Sequence, residues 1–192
     1  MRRTWMFLVG LGVSAVMSVC ANALVINTLN SPTSFFISQN EGGGVVLSAS
    51  GSVTITSGFN STSLVLHVIL NNTSTFNGAP YTAADNIRLT GWGFGVDPNA
   101  TAVTFSDAAD GGIIDATMDN LPGLAAIEVC AWGGNNCSGG ANGGIQAGNS
   151  DTFDLILTGN WGTSVTFDPL GVRFQTPVTS YDFTCSGTCT AP

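Results

Sequence analysis

"FDLILT", Phe153 to Thr158, sets apolar side chains at Phe153, Leu155 and Leu157 and alternates them with Asp154, Ile156 and Thr158. A period of two puts the first three on one face of an extended chain, the pattern of a half-buried strand. "VTIT", Val53 to Thr56, repeats it with Val53 and Ile55. Val45 to Ser48, Val53 to Phe59, Val165 to Asp168 and Val172 to Thr176 are likewise short and rich in β-branched or aromatic residues. "SLVLHVIL", Ser63 to Leu70, is apolar on both faces, which suits a central strand covered on both sides or one at a sandwich seam. Between these runs lie "NNTSTFNGAPYT" (71–82), "DAADGG" (107–112) and "GGNNCSGGANGG" (133–144). Glycine and asparagine reach positive φ at little cost, so these are turns and irregular loops. Strands separated by turn signals about every ten residues predict an all-β fold, an antiparallel, jelly-roll-like β-sandwich with long Gly/Asn-rich loops.

The chain begins with Arg2 and Arg3, continues with an almost wholly apolar or small run from Trp5 to Val19, and reaches Ala21-Asn22-Ala23. That is the layout of a secretory signal peptide over residues 1–23, cleaved after Ala23; the run is too short, and too interrupted by Gly10, Gly12, Ser14 and Ser18, for a membrane span. Residues 24–177 then make one β-sandwich domain, and 178–192 a terminal strand or tail with a local disulfide. The mature chain is expected to be secreted, with no membrane span. It keeps Arg88 and Arg173 as its basic side chains against twelve acids, a formal charge of −10. Nucleic acid and anionic membranes demand a basic surface that such a chain cannot assemble.

Cys130, Cys137, Cys185 and Cys189 remain after the leader, in a compartment where thiols oxidise. Local pairing, Cys130 with Cys137 and Cys185 with Cys189, is expected because each pair is close in sequence with glycine between its members. Closing the eight-residue loop of the first pair restricts the unfolded chain by about 2.5 kcal/mol. Zinc is disfavoured, since C-x6-C and C-x3-C do not fit its usual spacing and no histidine is near.

Catalysis finds little support. His67, the one histidine, has no nameable serine or cysteine partner and reads as a packed or edge residue. Asp107, Asp110, Asp115 and Asp119 are turn-forming aspartates in the ordinary case, and a glycosidase pair drawn from these, Glu128 and Asp154 rests on spacing alone. "GWGFG" (91–95) has neither the helix nor the lysine of a phosphate loop. Binding has better candidates. Asp97, Asn99, Asp107 and Asp110 offer hard oxygens on loops, the ligand type calcium takes, although no EF-hand pattern is present. Trp92, Trp132 and Trp161 carry aromatic faces that stack on sugars or fill a core, with Trp132 expected against the disulfide.

"NIRLTGWGFGVDPNAT" (Asn86 to Thr101), "IEVCAWGGNNCSGGANGGI" (Ile127 to Ile145), "SDTFDLILTG" (Ser150 to Gly159) and "PLGVRFQT" (Pro169 to Thr176) occur in that order. Over this half of the mature chain the sequence resembles the cistern family of secreted bacterial proteins, commonly sorted by exosortase through a PEP-CTERM tail. The resemblance implies export, a place at the cell surface or in the extracellular matrix, and two signature cysteines that match Cys130 and Cys137. A PEP-CTERM tail would carry a Pro-Glu-Pro-like motif, an apolar helix and terminal basic residues; the sequence ends "CTAP", so release outside the cell is the expectation rather than anchoring. The resulting expectation is a non-enzymatic, secreted structural or interaction protein of the cell surface or biofilm matrix, with extracellular polysaccharide or matrix proteins as partners. The alternative is a carbohydrate-binding module, with calcium as its candidate cofactor.

Overall fold

Alternation carries through into fourteen strands among residues 23–107, 112–140 and 143–185, which the computed structural model describes. The expected leader, apart from Ala23, lies outside the described residues, as do Asp110 and Cys189. In chain order the strands are β1 (Leu24–Ile26), β2 (Thr33–Gly42), β3 (Val45–Ser57), β4 (Ser63–Asn72), β5 (Thr75–Phe76), β6 (Ala79–Pro80) and β7 (Arg88–Asp97). They continue as β8 (Ala100–Asp107), β9 (Asp115–Thr117), β10 (Val129–Trp132), β11 (Ile145–Gln146), β12 (Ser150–Gly159), β13 (Val165–Gln175) and β14 (Ser180–Thr184). Helix among the described residues is limited to the 3-10 turn Ala83–Asp85.

The strands form two antiparallel sheets. Sheet A runs β1-β13-β7-β10-β9, with β14 also beside β13 and β11 beside β7; sheet B runs β6-β5-β3-β4-β12-β8, with β2 on the free side of β3. Their inner faces pack as a sandwich. Phe153, Leu155 and Leu157 of β12 point inward beside Leu64, Leu66, Val68 and Leu70 of β4, and all are buried. Sheet A answers with Trp92, Phe94, Phe167, Val172 and Phe174. Trp92 joins the two layers: its ring stacks on Phe35 of β2 at 5.7 Å, lies 5.0 Å from Phe94 and meets Phe153 edge-on at 6.2 Å.

Three local features differ from what the sequence pattern predicts. Val45–Ser57 is one strand rather than two, because β2 and β4 pair with it on both sides through the serine-rich middle. Gly51 fits there as glycine: a Cβ would run into the Ile69 carbonyl and the Phe35 ring. β13 likewise runs through Pro169, since its pairing with β7 steps from Phe167 opposite Val96 to Leu170 opposite Phe94. This bulge keeps the proline, which has no N–H to donate, out of the ladder. β4 is central as expected but is covered on one side; Val65, His67 and Ile69 look out from the open face of sheet B, with Ile69 39% exposed. The segment after residue 177 enters sheet A as β14, and Phe183 stacks on Phe174 at 5.8 Å.

The outer face of sheet A carries a third layer. In β7, Trp92, Phe94 and Val96 point inward, which turns Gly91, Gly93 and Gly95 outward. With Gly171 of β13 they form a groove in the sheet that Leu121, Leu124 and Ile127 fill, so that a Cβ on any of the four would strike those side chains or nearby backbone. Cys130, opposite Gly93, and Cys137 bury their disulfide in the same cover beside Leu121, Leu124 and Trp132.

At one end of the sandwich Asn72 ties the sheets together. It is 1% exposed, and its Nδ2 donates to the carbonyls of Ile87 (3.2 Å) and Ile145 (2.9 Å) in the sheet A segments. Its Oδ1 accepts from the Ser74 hydroxyl (2.9 Å) and amide (3.3 Å), while its backbone pairs with Gly148 and Asn149. Replacing it by alanine removes both donations to those carbonyls and the acceptor that the Ser74 hydroxyl and amide share. The Asn72→Ala variant should lose about 3 kcal/mol in urea unfolding, and Asn72→Asp should lose at least as much by facing a carboxylate to those carbonyls. A loss under about 1 kcal/mol in both variants would contradict the role assigned to this amide.

Candidate functional site

The end closed by Asn72 also carries two hollows. β4 stops there, β7 begins, and the turn Gln146–Asn149 carries the chain from sheet A to sheet B. Gly148 takes φ +81° in that turn, and the Asn149 amide bonds back to the Gln146 carbonyl at 3.0 Å. Two adjoining hollows result. One, of about 340 Å³, is lined by Arg88, Gly112, Gly144, Gln146, Asn149 and Ser150. The other, of about 330 Å³, shares Asn149 and Ser150 and continues past Asn71, Thr73 and Pro80. Phe76 and Tyr81, 6.1 Å apart on the β5–β6 hairpin and just after it, place aromatic surface next to Pro80, with Phe76 45% exposed. The first hollow is lined mainly by hydroxyl, amide and guanidinium groups, chemistry that matches a hydroxylated ligand, while the second presents more apolar surface. This groove was not legible in the sequence, because its residues come from five separate stretches and none belongs to a recognisable motif.

The candidate calcium ligands do not converge. Asp97 and Asn99 sit at the exposed turn before β8, whereas Asp107 closes the far end of that strand; Asp110 lies outside the described residues. The strand rise separates the two ends by about 25 Å, too far for one ion. Among the described residues no three His, Cys, Asp or Glu side chains gather as a metal site. The aromatic expectation is also corrected. Trp92 is 0% and Trp161 2% exposed, the latter donating from Nε1 to the Leu157 carbonyl at 3.2 Å, so both rings fill the core rather than present a face to sugar. Trp132 packs on the disulfide, as its place beside Cys130 suggests.

Cys130 and Cys137 are bonded, their Cα atoms 6.1 Å apart. Cys185 is half of a disulfide as well, and its expected partner Cys189 lies outside the described residues. The disulfide loop covers one of the two arginines among the described residues. Arg173 lies under Gly139 and pairs with Asp182 across β13 and β14, both side chains largely buried. His67 and Asp154 face each other across β4 and β12, the ring Nδ1 donating to the carboxylate at 2.7 Å. They are 41% and 47% exposed on the open face of sheet B, where water screens the pair. Glu128 instead accepts from the Val96 amide in sheet A, so it forms no carboxylate pair with Asp154.

Among the described residues no helix is long and apolar enough to cross a membrane. The fold and its groove define an acidic, disulfide-stapled all-β sandwich. No family model, curated protein or solved structure matches the chain.

Two measurements follow from these sites. Cys130→Ser with Cys137→Ser should lower stability by about 2.5 kcal/mol while sparing the sandwich core, read as a lower urea midpoint with an unchanged far-ultraviolet circular dichroism spectrum. Equal stability of the oxidised and doubly substituted proteins would remove the staple's assigned role. The second concerns Asp182, whose carboxyl is raised above its ordinary 3.8 because burial outweighs the hydrogen bond and charge of Arg173. Its Oδ1 has no hydrogen-bond partner, so the loss of water is only half compensated. A raised folded value means that this group's stabilising contribution is full below pH 3.8 and is lost as pH rises through the folded value. An NMR titration of the Asp182 carboxyl carbon should show a midpoint above 3.8, and a lower one would mean that Arg173 prevails.

Proposed function

We propose that this is a secreted, non-enzymatic protein of the cell surface or biofilm matrix that works by contact with other matrix components. The observation that carries the reading is the buried Cys130–Cys137 disulfide closing a glycine-rich cover over sheet A. A bond of that kind persists in oxidising surroundings and adds stability where chaperones are absent. The basic and apolar start of the sequence, the lysine-free acidic composition of the remainder and the resemblance to the cistern family point the same way. The open, water-screened setting of His67 and Asp154 supports a role other than catalysis, for which enclosure and a positioned nucleophile are the usual requirements.

The second reading, a carbohydrate-binding module, is favoured by the polar hollow at Arg88, Gln146 and Asn149, which adjoins a more apolar one reaching Pro80. Calcium has less to support it, since Asp97 and Asn99 are remote from Asp107. Fractionating a producing culture tests the main reading. The protein should be recovered from the washed matrix with Cys130 and Cys137 linked, by peptide mapping without reduction. Recovery from the cytoplasm with free thiols would overturn it.

A further inference from the structure

The two arginines of the described chain are in opposite circumstances. Arg173 is covered by Gly139 and neutralised by Asp182. Arg88 makes no ion pair and no side-chain hydrogen bond with any described residue, although acids outnumber it heavily. It opens β7 on the outer side of sheet A, directly across from Gln146, and both line the hollow of about 340 Å³. Asp151, a buried carboxylate behind Gly112, accepts from the amides of Ile113 and Thr152. Gln146, Asn149 and Ser150 also keep their side-chain donors and acceptors clear of the described protein.

From this arrangement we propose that the groove is a subsite for an acidic sugar. Arg88 receives the carboxylate or sulfate ester, and Gln146, Asn149 and Ser150 hydrogen-bond the ring hydroxyls. The chemistry selects this class for three reasons. A guanidinium is a planar fork that fits a carboxylate or sulfate by two parallel bonds. A chain of formal charge −8 repels anions at long range, so an anion held here must be held by short-range, directional contacts, which only a correctly shaped ligand makes. Amide and hydroxyl groups both donate and accept, as sugar hydroxyls require, while an apolar ligand would leave them unpaired. The second hollow, sharing Asn149 and Ser150, continues the groove for a neighbouring unit of the polymer. The inference deepens the carbohydrate-binding reading and rests on it for the source of the anion.

The test is a calorimetric titration of the whole secreted protein, in physiological salt, with oligogalacturonate, with its methyl ester, and with a sulfated galactan oligosaccharide. Oligogalacturonate or the sulfated oligosaccharide should bind, and which of the two binds more tightly identifies the anion. Arg88→Gln should weaken that binding about tenfold or more, and esterification should weaken oligogalacturonate to the same degree. Arg88→Lys should recover part of the loss, because an ammonium keeps the charge and lacks the fork. In the unsubstituted protein the Arg88 Nε–Hε resonance should shift during the titration, which keeps the result independent of how the variants fold. Equal affinity for acid and ester, unmoved by Arg88→Gln, would overturn anion recognition and leave carbohydrate binding in place. Binding of none of the three by a protein that still partitions into the matrix would overturn the subsite and leave the matrix reading standing.

Discussion

The alternation in β7 governs more of this molecule than any other feature. By turning Trp92, Phe94 and Val96 inward it supplies the centre of the sandwich, and by the same geometry it turns Gly91, Gly93 and Gly95 outward. A sheet face without side chains cannot shield its own backbone, so a further layer is seated there: Leu121, Leu124, Ile127 and the Cys130–Cys137 disulfide. The disulfide is thus less a clamp on a loose loop than the outer wall of a second, small core. Arg173 is covered as a consequence, and Arg88, at the end of the strand beyond the glycines, is left open.

The opposite surface follows a different logic. Sheet B presents its outer face to water, and the strands there alternate cleanly, with Ser52, Thr54, Thr152 and Asp154 outward across from the buried row. His67 and Asp154 belong to this face and form an ordinary cross-strand pair. Function is better sought at the end of the sandwich, where the two sheets are joined. Asn72 satisfies both of its donors and its acceptor there with groups from three segments. Joining sheets through a fully bonded amide gives a rigid frame, and the side chains facing the groove remain available for a ligand.

Much of the fold was legible because strand burial has a period of two and the sequence obeys it. Val53 and Ile55, and Phe153, Leu155 and Leu157, are buried as their spacing predicts. The short separation of Cys130 and Cys137 pointed to their bond. What escaped was anything decided by neighbours: the joining of two runs into β3, the passage of β13 through Pro169, and the burial of Trp92 and Trp161. The glycines of "GWGFG" did carry a signal, since glycine alternating with large aromatics marks a strand with something packed closely on its bare side.

By itself, then, the sequence determined the class of fold, the local staple and the acidic character of the surface, because periodicity, cysteine spacing and charge are properties of short segments or of composition. Only the tertiary structure decided which cation is free, which tryptophans are surface and which core, and that Asp97 and Asp107 stand at opposite ends of a strand. Those are distances between residues remote in the chain. They depend on how two sheets pair and cross, and no local pattern encodes them.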